Sequence, residues 1–181
     1  SYSWMSELYS RAPYVSDRDR VQLDAEGSIQ YGMYYWDDNY PDSHVFAEGE
    51  CLRKTFDPDF MLYHTMAVDE WGHMKGADSA EYANAVAAVG HLIAARMPEW
   101  LEQGYQVVVT ADHGMNNLGI HVGTEPAQRE VALYIFSDKV ENGRFEENYI
   151  SQLNVAPLVC KLMGVPATEG MKQELEIVFS K

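Results

Sequence analysis

The sequence predicts an α/β protein with a mostly parallel sheet flanked by helices, and three observations carry that prediction. FMLYHTMAV (60–68) and QVVVT (106–110) are short, nearly unbroken apolar runs, the composition of strands buried on both faces. Between them, Tyr82, Val86, Val89, Ile93 and Met97 recur at three- and four-residue spacing, which gives an amphipathic helix one buried face. A third apolar run and a final helical stretch then complete the order strand, helix, strand, loop, strand, helix.

Taken in order, residues 3–10 predict a short helix and 28–36 a short strand. SHVFAEGECLRKTF (43–56) reads as a helix despite Gly49, with Val45, Phe46, Cys51, Leu52 and Phe56 to one side. It ends at DPDF, because the residue before Pro58 is pushed out of the helical region. After the strand at 60–68 and a turn at 69–77, the long helix runs over 78–97 with Asp78 as its N-cap. Pro98 kinks or restarts it and Gly104 ends it. The strand at 106–110 follows, then VALYIF (131–136), then a helix over 154–163 closed by Gly164 and Pro166.

The 181 residues suit one domain or part of a larger one, and 46% hydrophobic residues suffice for a substantial core. Lys plus Arg total 13 against 28 Asp plus Glu, a net charge of −15. That balance argues against a sequence-independent grip on nucleic acid, which needs cations against phosphates, and against attraction to an anionic membrane. Phosphate substrates remain open if bound cations supply positive charge locally. Cys51 and Cys160 demand no oxidising compartment, and Cys160 reads as a small buried thiol. There is no run of 18 apolar residues, no signal-peptide pattern and no lipidation motif, but the chain opens SYSWMSELYS without Met, so the missing leader says little.

Chemistry concentrates where two of the predicted strands end. In open α/β sheets ligands bind beyond the carboxyl ends of the strands. The first run delivers VDEWGH, with Asp69 and His73 in one turn and Gly72 relieving crowding. The second delivers ADHG, with Asp112 and His113, and the loop beyond it carries His121. An Asp with two His is a good zinc set, and three protein ligands leave a position open for water or a phosphate oxygen. A lone Asp-His is more often a turn. The order of both pairs after apolar runs, with a long helix between, favours a metal site.

PDFMLYHTMAVDEWGH (58–73), VVVTADHGM (107–115), HVG (121–123) and NVAPLVCKLMGVP (154–166) together resemble the C-terminal half of the alkaline phosphatase superfamily. The nearest branch is that of type I phosphodiesterases and nucleotide pyrophosphatases. The resemblance implies an alkaline-phosphatase-like core truncated at its N-terminus, residues 1–181 forming one domain that is the C-terminal fragment of a larger catalytic domain. It implies that Asp69, His73 and His121 bind one zinc and that Asp112 and His113 bind a second, manganese or another divalent metal being the alternative. His121 is followed by Val122 and then Gly123, where the family usually has His-Gly.

The activity so implied is metal-dependent hydrolysis of phosphodiester or nucleotide pyrophosphate bonds in a small-molecule substrate, with two metals clamping the attacking and leaving oxygens. The Thr or Ser nucleophile is expected upstream, so no catalytic nucleophile is assigned in this chain and the chain alone is expected to be inactive. Phosphonate hydrolysis, phosphomutase chemistry and a non-catalytic metal-binding domain are the alternatives. The short loop before His121 resembles cytosolic relatives and implies a cytoplasmic protein.

Other residues invite attention without earning a role. His64 reads as a core histidine or one that supports a ligand, His91 as structural, and His44 as lying near a helix start. WDDNYPD (36–42) lacks the spacing of a calcium loop and reads as a solvated turn. Lys75 and Asn116 lie close to the ligands and are given no role.

Overall fold

The computed structural model describes residues 1–144, 149–171, 174–175 and 177–180. Its elements are α1 (Trp4–Tyr9), α2 (Ser16–Asp19), β1 (Val21–Leu23), β2 (Tyr31–Met33), α3 (Asp42–Phe56), α4 (Ala67–Lys75), α5 (Ala80–Ala94), α6 (Met97–Glu102), β3 (Val107–Val109), α7 (Pro126–Arg129), β4 (Tyr134–Phe136), a 3₁₀ turn (Gln152–Asn154) and α8 (Val155–Met163). They fall into two compact units, Ser1–Ala95 with His113–Glu130 and Arg96–Asp112 with Val131–Lys181. No helix among the described residues is long and apolar enough to cross a membrane.

The first unit is built on α3. Val45, Phe46, Gly49 and Leu52 are its buried apolar positions, each apolar side chain contributing ~1.5–3 kcal/mol on burial. Cys51, expected on that side, is exposed. Gly49 is where Tyr63 lies against the helix: a Cβ there would stand only 2.1 Å from the Tyr63 ring. The same ring stacks on Phe46 at 5.2 Å and its hydroxyl donates to Glu50 at 2.9 Å. Asp57 ends α3 in the left-handed conformation (φ 46°), outside the right-handed helical region but not in the extended form that a following proline favours. The Tyr35 hydroxyl, deep in this core, donates to the His64 carbonyl at 2.8 Å.

The expected strand at 60–68 does not form. Residues 60–66 have no ladder partner, and α4 takes over from Ala67. Phe60 and Leu62 are about half exposed, so the apolar run is not enclosed on both faces. A strand needs a hydrogen-bonded neighbour, and hydrophobic composition alone supplies none. The mostly parallel sheet is likewise absent among the described residues. Instead there are two antiparallel pairs, β1 with β2 (Val21 opposite Met33) and β3 with β4 (Val107 opposite Phe136).

Helix α5 begins one residue later than expected: Ser79 is the N-cap, its hydroxyl accepting from the Tyr82 N–H at 3.1 Å. Its buried position is Ala85, small enough to let α5 approach α4 and α3, while Val86, expected inside, is about half exposed. In the second unit, α6 is the restart at Pro98, and Gly104 follows it at φ 87°. Helix α8 carries Pro157 in its first turn, where a missing N–H costs nothing, and buries Leu158 and Leu162. Gly164 closes it in the left-handed conformation. Both cysteines are free, and Cys160, expected to be buried, is half-buried.

Candidate metal centre

Asp69 and His73 lie on α4, not at a strand end. One helical turn sets residues four apart on the same face, and Asp69 Oδ2 stands 3.4 Å from His73 Nε2. The start of this helix is held from another element. Asp42 Oδ1 accepts from the backbone N–H groups of Met66 and Ala67 at 3.2 and 3.5 Å, partnering donors that no residue of α4 can reach. Asp42 is therefore buried, against the solvated turn expected for WDDNYPD. Burial pushes its carboxyl above the ordinary range, while the two backbone donors and His64 act in the opposite sense.

The loop that follows His113 folds back over α4. Met115, buried, crosses Gly72 so closely that a Cβ there would stand 2.8 Å from its methyl. The Ala77 N–H donates to the Asn116 carbonyl at 3.1 Å, and Asn116 Oδ1 accepts from the N–H groups of Leu118 and Ile120 at 3.0 and 2.9 Å. Gly119 sits at φ 73°, where a Cβ would meet the His73 carbonyl oxygen at 2.7 Å. Its own carbonyl accepts from His73 Nδ1 at 2.8 Å. That bond fixes the proton on Nδ1 and leaves Nε2, the atom facing Asp69, as the lone-pair donor.

His121 completes the group. The ligand atoms of Asp69, His73 and His121 all lie within 4.8 Å of one another. The His73 and His121 rings meet edge to face at 5.0 Å between centroids. His113 stacks on His121 at 3.8 Å, with its Nε2 3.8 Å from Asp69 Oδ1. Asp69 Oδ1 is buried and accepts no hydrogen bond. A buried carboxylate oxygen without a donor, beside two imidazoles in the same small space, fits a divalent cation, and one carboxylate with two histidines is a zinc-type set.

Of the five residues predicted as ligands, the structure brings four together: Asp69, His73, His121 and His113. Asp112 is grouped with the second unit, the division falling between it and His113. There the loop after β3 is held by Gln152, whose Nε2 donates to the carbonyls of Ala111 and Asp112, both at 2.9 Å. Sequence reasoning missed Gln152, Asp42 and Gln128, and gave Asn116 no role. Asp42 and Gln152 act on backbone groups 24 and 41 residues away, and Asn116 and Gln128 on peptide groups of the nearby loop, which carry no side-chain signature of the pairing. His64 lies outside any strand, its ring edge-on to Trp4 at 5.2 Å, and His91 is exposed on α5.

A partly exposed Asp-His-His group on a helix–loop frame is a candidate metal site, and comparison with known proteins supplies the class of protein that carries it. Residues 6–146 match the model of the type I phosphodiesterase / nucleotide pyrophosphatase family, and the chain belongs to that family. The family is of the alkaline-phosphatase-like superfamily, its members are phosphoester-processing enzymes, and they are typically metal-dependent. The chain is similar to the catalytic subunit of GPI ethanolamine phosphate transferase 3 from Mus musculus, 27% identical over 157 residues, covering 82% of this chain and 14% of the relative. The Homo sapiens counterpart is 29% identical over 115 residues, 62% of this chain and 10% of the relative. GPI ethanolamine phosphate transferase 2 from Schizosaccharomyces pombe is 24% identical over 132 residues, 62% of this chain and 17% of the relative. The chain thus spans between 10% and 17% of the length of these relatives. No solved structure gives a significant match.

These matches correct one expectation. The relatives are GPI ethanolamine phosphate transferases, and the cytoplasmic placement is overturned by that likeness. It rested on the length of one loop, and loop length carries no physical information about compartment.

Proposed function

We propose that this chain supplies the metal-ligand part of a catalytic site that transfers ethanolamine phosphate, or a chemically similar phosphoester headgroup, to a lipid-linked acceptor. The observation that carries the reading is the convergence of Asp69, His73 and His121 around a carboxylate oxygen without a donor. The family supports phosphoester chemistry, and the transferase relatives favour transfer over the hydrolysis of nucleotide pyrophosphates that the sequence suggests. Hydrolysis remains the second reading, favoured by the family's own description.

Asp69, His73 and His121 would hold one zinc or another divalent ion, with His113 stacked beside them. When bound, such ions polarise a phosphoryl oxygen and neutralise charge developing on it. The chain's own residues set the stage. His73 presents Nε2 because Gly119 holds its other nitrogen, Asp69 supplies negative charge from the helix face, and Asp42 anchors the helix that carries both. Residues 1–181 are proposed as part of a larger catalytic domain, and no residue among them is assigned the attack on phosphorus.

The test is calorimetric zinc titration of the chain, with one strong site expected. It is joined by an assay of the longest polypeptide its gene encodes, with zinc, on a nitrophenyl ester of ethanolamine phosphate and on a nitrophenyl nucleotide ester. Turnover of the first ester supports headgroup transfer. Turnover of the nucleotide ester alone gives the case to hydrolysis, and absence of zinc binding removes both.

A further inference from the structure

We infer that Gln128 is the positioning residue of this centre: one buried side chain fixes the backbone on both sides of His121 and ties it to the segment that carries His113. The inference rests on the metal-site reading above and extends it to a residue that does not touch the ion. Gln128, on the four-residue helix α7, is only 6% exposed. Its Nε2 donates to the carbonyl of Ile120 at 3.3 Å and to that of Val122 at 3.4 Å. Those are the two residues flanking His121. Its Oε1 accepts from the Glu125 N–H at 3.2 Å, as the N3 residue of a capping box does, so donors and acceptor of the amide are all engaged. Its main-chain carbonyl accepts from Gly114, next to His113, at 2.9 Å.

Two further facts make this a built device. Gly123 leaves room for the amide: a Cβ there would stand 2.3 Å from Gln128 Oε1. The residues whose carbonyls are held are themselves loosely covered, Ile120 being 42% and Val122 78% exposed. Packing of their side chains therefore does little to hold the loop; Asn116 braces Ile120 on the His113 side, and the Gln128 amide holds the carbonyls on both sides of His121. Without its two N–H groups, the Val122 carbonyl turns to water, the Ile120 carbonyl keeps only the Asn116 N–H at 3.1 Å, and the His121 ring between them loses its fixed place beside His73. Partners that orient a ligand in this way are typically worth ten- to hundredfold in metal affinity.

The experiment uses the whole 181-residue chain, with Zn²⁺ and Co²⁺ alone as probes. Gln128→Ala, Gln128→Glu, His121→Ala and the double variant Gln128→Ala/His121→Ala are compared with the unmodified chain by cobalt absorption, zinc competition and amide hydrogen exchange. Gln128→Ala should weaken binding about ten- to hundredfold and change the cobalt spectrum. Gln128→Glu keeps the length but lacks the donors, so it should fall with Gln128→Ala. If Gln128 acts through His121, the double variant should bind no more weakly than His121→Ala. Exchange at residues 120–123 should quicken in Gln128→Ala while α4 stays protected. A cobalt spectrum and affinity unchanged in Gln128→Ala, or losses that simply add in the double variant, would overturn the inference. If the unmodified chain binds neither ion, the metal-site reading falls, and exchange at 120–123 still decides whether Gln128 fixes this loop.

Discussion

Helix α4 and the loop from His113 to Gly123 each deliver two histidine or carboxylate groups to the same small space, by opposite means. On α4 the placement is local: Asp69 and His73 share a face because the helix repeats every 3.6 residues. In the loop nothing repeats. His113 and His121 are eight residues apart in sequence, and their rings stack because Met115, Asn116, Gly119 and Gln128 tie the intervening backbone to α4 and α7. A helix carries its own geometry, whereas a loop borrows it from whatever it touches, so the loop half of the centre should be the easier to break from a distance.

The largest effect is expected on the helix, from the ligand itself. Asp69→Asn removes the only carboxylate of the three-residue group. Zinc affinity measured by calorimetry should fall by about 100-fold or more, beyond what orienting partners contribute. Far-ultraviolet circular dichroism should stay unchanged, since Asn leaves the helix backbone intact. Retained tight binding would mean that His73 and His121 serve something other than a metal.

Gly119→Ala should come next, and it attacks the seam between helix and loop. An alanine at φ 73° costs about 1–2 kcal/mol, and its Cβ would press on the carbonyls of His73 and Gly72, which are backbone and cannot step aside. Lifting the loop also breaks the bond to His73 Nδ1. Urea unfolding should show a loss of ~1–3 kcal/mol, and zinc affinity should drop about tenfold in the same variant. Loss of stability with affinity intact would show that the loop's contact with α4 does not orient His73.

The smallest effect concerns Asp42 and is visible only against pH. Burial raises its pKa above the ordinary carboxylate value, so the folded chain holds that proton more tightly than the unfolded chain. The sign follows: Asp42 favours the fold most when protonated, and stability falls as pH rises from the unfolded value through the raised folded one, then levels. Asp42→Asn keeps an acceptor for Met66 and Ala67 but carries no charge. Its unfolding free energy should lack that part of the decline between acidic and neutral pH, which parallel urea titrations would reveal as a flatter profile.

The sequence by itself determined the features that depend on near neighbours. Alternation at three and four residues set α3 and α5, Pro58 and Gly164 set the ends of α3 and α8, and the spacing of Asp69 and His73 paired them as ligand candidates, although the turn expected for them is the helix α4. It also named His113 and His121. Tertiary structure decided the rest. Whether 60–66 is a strand depends on a hydrogen-bonding neighbour that no local pattern can supply, and which face of α5 is buried depends on the surfaces of α3 and α4. The supports of the centre, Asp42 on the start of α4 and Gln128 on the carbonyls beside His121, act across 24 and 6 to 8 residues on backbone groups that every residue carries. An amide or a carboxylate aimed at a peptide group leaves no signature at its target, so only the folded chain reveals the pairing.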